Sequence, residues 1–300
     1  MAVGALPDLT IRQFEYLVAV ADADTWALAA DRVGVSGSAL SQGIAELERR
    51  LGVDLFDRDG RRRRLRTDAI PVLAHARQVL ALTGDLADWA ERMRTGSAGR
   101  LRLGMIDAAA IVHFGDQLRR FRAARTDVEL RLRVEPSGPL LELLIAGDLD
   151  VVVCVAPPEP IPGLRTTPLL IDDVAVYAPG KTRPSSPATW GPWVLFPEGS
   201  HTRGAITREL RRLGAPIEVV AESHQPDVLR EMVRLGTGWT ALPRAQAEHG
   251  TGNLVEVQTL LRRELVAAVR DGTVRQPVVD DLIAAFTDAA ESTPRPSALR

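Results

Sequence analysis

Apolar positions recur at helical spacing through the first third of the chain. Farther on they become short apolar runs that alternate with amphipathic stretches. Ile11, Phe14, Leu17, Val18 and Ala21 step as one helix face, with Thr10 placed to cap it. A second helix follows Thr25, with Trp26, Leu28, Ala29 and Val33 inward and Gly34 as its stop. Ser36 starts a third helix, which buries Leu40, Ile44, Leu47 and Leu51 and ends at Gly52. Small residues Ala29, Ala30 and Gly34 let the second and third helices cross closely at a tight turn. Leu55-Phe56, a polar turn over 57–60, and Leu65 after four arginines outline a β wing. Thr67 then caps a helix running to about Thr95, with Pro71 tolerated in its first turn.

Along that fourth helix Val72, His75, Val79, Leu82, Leu86, Trp89 and Met93 form a heptad seam with one polar member. A second stripe, Ile70, Leu73 and Leu80, can pack on the preceding helices. About 27 residues of helix span about 40 Å, more than a small domain needs internally. The seam therefore predicts a dimer through Val72, Val79, Leu82, Leu86, Trp89 and Met93. An amphipathic helix docked on its own chain is the plain alternative.

After the small-residue linker at 96–99 the pattern changes. Strands are expected at 101–106, 128–134, 151–155, 174–177, 193–196, 217–220, 239–242 and 265–269. Helices are expected at 111–124, 140–146, 202–213, 228–235 and 278–289. Strands separated by helices predict an α/β architecture with mostly parallel sheets.

Composition narrows what this can be. Three hundred residues suggest about two domains. The formal net charge of −2 makes any nucleic-acid footprint local. Over 49–66 there are eight Arg against three Asp, so positive charge gathers at the wing. Cys154 is the single cysteine, which excludes an intrachain disulfide and a Cys-rich metal site. It falls in an expected strand, where an apolar buried role suits it. The five His (75, 113, 201, 224 and 249) lack metal spacing, and no metal or cofactor is expected. No acid-base or nucleophile constellation stands out, and no G-x-S-x-G elbow is present, so the chain is not expected to be an enzyme. No apolar run approaches a membrane span. The opening MAVGALPDLT lacks the basic and apolar regions of a secretory signal, which predicts a cytoplasmic protein.

The order of parts resembles the LysR-type transcriptional regulators. IRQFEYLVAVAD (11–22) is close to that family's first-helix pattern, and AADRVGVSGSALSQGIAELERRLGVDLFDR (29–58) to its helix-turn-helix and wing entry. RTDA (66–69) opens its linker helix. GRLRLG (99–104), LLELLIAGDLDVVV (140–153), GLRTTPLLIDDVAVYAP (163–179) and GTGWTALP (236–243) are similar to pieces of its effector domain. The resemblance implies an all-α winged helix-turn-helix at 1–66, a linker and dimerisation helix at 67–96, and an α/β effector domain at 97–300. That last part would comprise two subdomains like a periplasmic binding protein, one at about 97–168 with 265–292 and one at about 169–264. Crossover strands are expected near 165–170 and 260–265. The implied partners are promoter duplex DNA, a second copy of the chain and, as a tetramer, further copies. A small-molecule effector and RNA polymerase complete the set; no membrane partner is implied.

The family's recognition helix commonly begins Ser-Gln-Pro and continues Ala-Leu-Ser-Arg. Here Gly37 replaces the Gln, Ser38 the Pro and Gln42 the Arg, and Gly43 sits inside the helix. Expected DNA contacts are Ser36, Ser38, Ser41 and Gln42, with Arg58, Arg61, Arg62, Arg63 and Arg64 on phosphates or in a minor groove. Gly37 has no side chain to touch a base, which predicts an unusual target or readout helped by the wing. A relative with relaxed DNA specificity, acting as a small-molecule-binding protein, is the alternative function. The effector is expected between the subdomains, at Asp107 and Ala108, Ser137 and Gly138, Ser200, His201 and Thr202, and Ser223 and His224. There helix N-termini, with Thr202 and Arg203, would attract an anion, and Asp107 would select an amine or hydroxyl.

Overall fold

A computed structural model describes residues 7–59, 62–95, 99–180, 186–248, 254–274 and 276–292. The chain divides into two compact units, one built on the residues up to Thr95 and one on those from Gly96.

In the first unit, α1 (Ile11–Ala21) opens with a capping box: Thr10 accepts the Gln13 N–H and the Gln13 side chain accepts the Thr10 N–H. Thr25 caps α2 (Trp26–Arg32), and Ser36 caps α3 (Gly37–Leu51), which ends on left-handed Gly52. Leu17, Ala29, Leu40, Ile44, Leu47 and Leu55 are fully enclosed. Burial of each large aliphatic among them contributes about 1.5–3 kcal/mol. Two expected inward residues turn out: Ile11 and Leu28 are 46% and 54% exposed, while Val20 and Ala30 of the same helices are buried.

Gly43 has a packing reason. A Cβ there would collide with Tyr16 Cδ2, so the α1 ring occupies the room a side chain would need. The wing is a hairpin of β1 (Phe56–Asp59) and β2 (Arg62–Leu65), so residues 57–59, expected in the turn, extend the strand instead. Thr67 lies in a 3-10 turn over Thr67–Ala69, and α4 starts later than expected, at Ile70, and runs to Thr95.

The second unit runs β3 (Arg100–Met105), a π-helical turn (Ala108–His113), α5 (Gly115–Ala124), β4 (Glu129–Val134), α6 (Ser137–Ala146), β5 (Val151–Val155) and β6 (Leu164–Ala178). It continues with β7 (Trp193–Leu195), α7 (His201–Arg212), β8 (Val219–Glu222), α8 (Pro226–Arg234), β9 (Thr240–Pro243), α9 (Arg244–Glu248), β10 (Val255–Arg270) and α10 (Pro277–Ser292). Six described strands form one sheet in the order β4-β3-β5-β10-β6-β9, and β7 pairs with β8.

Parallel pairing holds for β4-β3-β5 and for β7-β8, but β10 is antiparallel to both neighbours and β9 to β6. The expectation of mostly parallel sheets fails there, and for a clear reason. The short strands expected at 174–177 and 265–269 are ends of two long strands that pair along their length in opposite directions.

Each long strand serves two cores. One core gathers Leu101, Met105, Phe114, Leu140, Val152 and Phe286, with Leu169 and Leu265 from the long strands. The other gathers Trp193, Ile206, Leu229 and Trp239, with Val174 and Leu260. The passage between cores falls at 171–173, just after the expected 165–170, opposite 262–264, inside the expected 260–265. Register irregularities at Thr259/Leu261 and Leu265/Val266 flank it.

Candidate nucleic-acid interface and ligand cleft

Ser36 Oγ accepts the Ala39 N–H at 3.2 Å and lies 2.9 Å from Ser38 Oγ, so both hydroxyls gather at the start of α3. Ser36, Gly37, Ser38 and Gln42 are exposed and Ser41 is half-buried. The face that α3 turns outward therefore begins with small polar groups over a helix N-terminus, which favours anions.

Sequence reading missed Glu48. Its Oε1 accepts the N–H groups of Leu55 at 2.8 Å and Phe56 at 3.3 Å, tying the wing's base to α3. The only sequence signal is an acid seven residues before a strand.

The local charge surplus is distributed differently from the count over 49–66. Arg49 and Arg50 both hydrogen-bond Glu46, whose carboxyl they hold down at about 2. Arg66 is bound by Asp68. In the wing, β1–β2 register sets Arg58 opposite Arg63, Asp59 opposite Arg62 and Asp57 opposite Arg64. Arg64 is exposed, and Arg61 lies outside the described residues, as do linker residues 96–98 and His249.

The heptad seam divides into halves. Leu73 is buried, and Val72, Val79 and Leu80 pack against the core of α1–α3, while Ile70 is 53% exposed rather than packed. His75 meets Phe14 edge-on at 5.9 Å. Thus docking on its own chain accounts for Val72 and Val79. Leu82 is half-buried, and Leu86, Trp89 and Met93 are 52%, 38% and 66% exposed along one stripe.

In the second unit a cleft of about 520 Å³ opens between the two cores. Asp107, Ala108, Ser137, Ser200, Thr202 and His224 line it as expected, whereas Gly138, His201 and Ser223 do not. Ser223 instead accepts the Gln225 N–H in its own loop. Arg203 is also otherwise engaged, donating to the Phe196 carbonyl at 2.8 Å and to Thr207. The π-helical turn supplies Ala108, Ile111 and Val112 to one wall, a distortion often found at functional sites. Gln246 on α9 donates to Asp107 Oδ2 at 3.1 Å, a hydrogen bond between lobes.

Beneath the cleft lies a group that sequence reading did not find. Arg263, on β10, is buried and donates to Asp172 on β6 at 2.7 Å and to Thr202 Oγ1 at 3.1 Å. His113 Nε2 stands 3.4 Å from the same Asp172 oxygen. Burial pushes the Asp172 carboxyl up, but His113 and Arg263 outweigh it and hold the group below its ordinary value. Burial lowers the Arg263 pKa against the pull of Asp172. The pair sits at the passage between cores, in direct register. Asp172-Asp173 and Arg262-Arg263, charged doublets in two strands expected to cross, were the available signal. Cys154 is enclosed in β5, and burial pushes its thiol up to about 12.

The family described as "LysR substrate binding domain" matches residues 94–291, and "Bacterial regulatory helix-turn-helix protein, lysR family" matches 11–69. The HTH-type transcriptional regulator IlvR of Caulobacter vibrioides is 28% identical over 251 residues, 78% of this chain and 82% of that protein. A probable hydrogen peroxide-inducible genes activator of Streptomyces viridosporus is 27% identical over 299 residues, 95% of this chain and 96% of that one. The fold matches the crystal structure of ArgP from Mycobacterium tuberculosis with a TM-score of 0.67 at 23% identity, covering 97% of this chain and 100% of that one.

Proposed function

Because the chain belongs to the LysR family of bacterial transcriptional regulators, we propose that it binds promoter DNA as a homodimer, or a tetramer of two dimers, and is switched by a small molecule in the cleft. Residues 1–66 form the reading head, 67–96 the linker and dimerisation helix, and 97–300 the effector domain, acting in the cytoplasm.

The observation that carries the reading is the outward start of α3 beside an arginine-rich hairpin. Ser36, Ser38 and Ser41 donate to phosphates with the helix N-terminus behind them. Gln42 reads adenine through its amide, and Gly37 lets the backbone approach. Arg58, Arg61, Arg62, Arg63 and Arg64 engage the backbone or minor groove. Leu86, Trp89 and Met93 meet their counterparts on a second α4, joined by Leu82 at the edge of the stripe; their exposure is the support for this.

The effector meets Asp107, Ala108, Ser137, Ser200, Thr202 and His224, a set drawn from both lobes. It shifts the protein only if it binds one arrangement of the lobes more tightly than the other. RNA polymerase then meets a differently presented promoter. The peroxide response in one relative's name does not extend to this chain, whose single thiol is enclosed and poorly ionised.

Footprinting on the duplex flanking the gene tests the whole reading. Two protected half-sites, whole helical turns apart, are expected. Replacing Arg58, Arg63 and Arg64 by Ala should weaken binding at least about tenfold and reduce the salt slope by about one per lost phosphate contact. A monomer that protects no duplex at low salt overturns the proposal.

A further inference from the structure

Within the cleft, the polar groups differ in what they have left to offer. Ser200 Oγ accepts the Arg203 N–H at 3.4 Å, and Thr202 Oγ1 accepts from Arg263 at 3.1 Å. A hydroxyl has one proton to give, and neither oxygen spends it in those bonds. Both groups stand at the N-terminal end of α7, where the helix dipole is positive, and the Arg263 guanidinium lies directly behind Thr202. This edge of the second lobe offers donors and suits an anionic oxygen.

The first lobe offers the opposite. Asp107 follows β3 and Glu135 follows β4, its parallel neighbour, and the Glu135 N–H donates to the Met105 carbonyl at 3.3 Å. Two carboxylates therefore enter the cavity from adjacent loops. Asp107 accepts from the Gln246 amide among its interactions, and Arg133 stands 3.7 Å from Glu135; a carboxylate has about four acceptor sites, so such contacts do not by themselves exhaust it. A third lining carboxylate, Asp227, pairs with Arg230 at 3.1 Å. Among the described residues Arg263 is the one Lys or Arg in the lining, and Asp172 engages it from below. Ile111, Val112, Val134 and Phe196 supply apolar wall between the two kinds of group.

We infer that the effector is a small zwitterion with a hydrocarbon body: anionic oxygens at Ser200 and Thr202, an ammonium at Asp107 and Glu135. An amino acid with an apolar side chain is its simplest form. The inference rests on the cleft being the effector site. Arg263 acts as a positioning residue, directing the Thr202 proton toward the ligand by occupying a lone pair of the same oxygen.

Calorimetric titration of the full-length protein decides it. The probes are leucine and phenylalanine, the amines that lack their carboxylate (isopentylamine, 2-phenylethylamine), and the acids that lack their ammonium (4-methylpentanoate, 3-phenylpropanoate). At least one amino acid should bind at least about tenfold more tightly than both of its halves, since a site built to hydrogen-bond a group rejects analogues lacking it. Asp107→Asn or Glu135→Gln should erase its advantage over the acid, and Thr202→Val its advantage over the amine. Equal binding by either half-molecule overturns the inference, as does silence from both amino acids. Ile111→Trp, at an exposed wall position, separates the two levels. A ligand of another class that this variant blocks removes the zwitterion and keeps the cleft. An amino acid that binds Ile111→Trp and Thr202→Val undiminished removes the cleft as its site.

Discussion

The two units hold their polar groups in opposite ways. In the helix-turn-helix unit the hydroxyls at the start of α3 are exposed, and their partners lie two or three residues away. In the effector unit Arg263 and Thr202 are buried, and their bond joins residues 61 apart; the Arg263–Asp172 pair spans 91. Near-neighbour bonds form with a helix and cost little further order. A buried long-range pair exists only once the whole lobe has assembled, and it then constrains that assembly.

The largest expected effect follows from this difference. Asp172→Asn leaves the Arg263 charge enclosed without its partner and should cost about 3–5 kcal/mol, read by urea unfolding at pH 7. Ser36→Gly, which removes only an exposed cap, should cost a few tenths of a kcal/mol. The acid side gives an independent check. A carboxyl held below its ordinary value contributes stability above that value and loses it as pH falls through its folded value. The gap between the parent chain and Asp172→Asn should therefore narrow below about pH 4. A gap that stays constant with pH would mean the two units do not differ in this respect.

A smaller effect tests whether the helix-turn-helix unit also contains a long-range constraint. Ala is favoured over Gly in a helix by about 1 kcal/mol, yet at position 43 the added carbon collides with the Tyr16 ring. Overpacking of this kind typically costs 1–3 kcal/mol, so Gly43→Ala should lower stability by about 1 kcal/mol. In a Tyr16→Ala background the same change should become neutral or stabilising. Stabilisation in the parent chain would remove the constraint.

The smallest effect is a null one. The native protein should not react with a maleimide at neutral pH, and Cys154 should label only on unfolding, since burial keeps the thiol un-ionised. Rapid native labelling would place an open path into the first core of the effector unit.

The same contrast governs what could be read from sequence. Thr10, Thr25, Ser36 and Gly52 act within one turn of the residues that reveal them, and all four were legible as caps and stops. Cleft residues at strand ends, such as Asp107 and Ser137, were legible because an α/β topology sends its loops to one edge. Glu48 and Arg263 were not. Each works across a join whose register is set by tertiary pairing, and an Arg in an alternating strand reads as solvent-facing. The place of Gly43 inside a helix had no reason in the sequence, because its neighbour Tyr16 lies on another helix.

The two lobes of the effector unit are joined by a ribbon of two hydrogen-bonded strands, with a register irregularity on either side of the passage. Such a ribbon flexes across its plane far more easily than it stretches or shears, since stretching or shearing would break ladder bonds. Lobe motion is thereby funnelled toward a single coordinate, an angle. On the proposed reading, whatever occupies the cleft is then translated into one scalar, a dial setting instead of a description of the ligand.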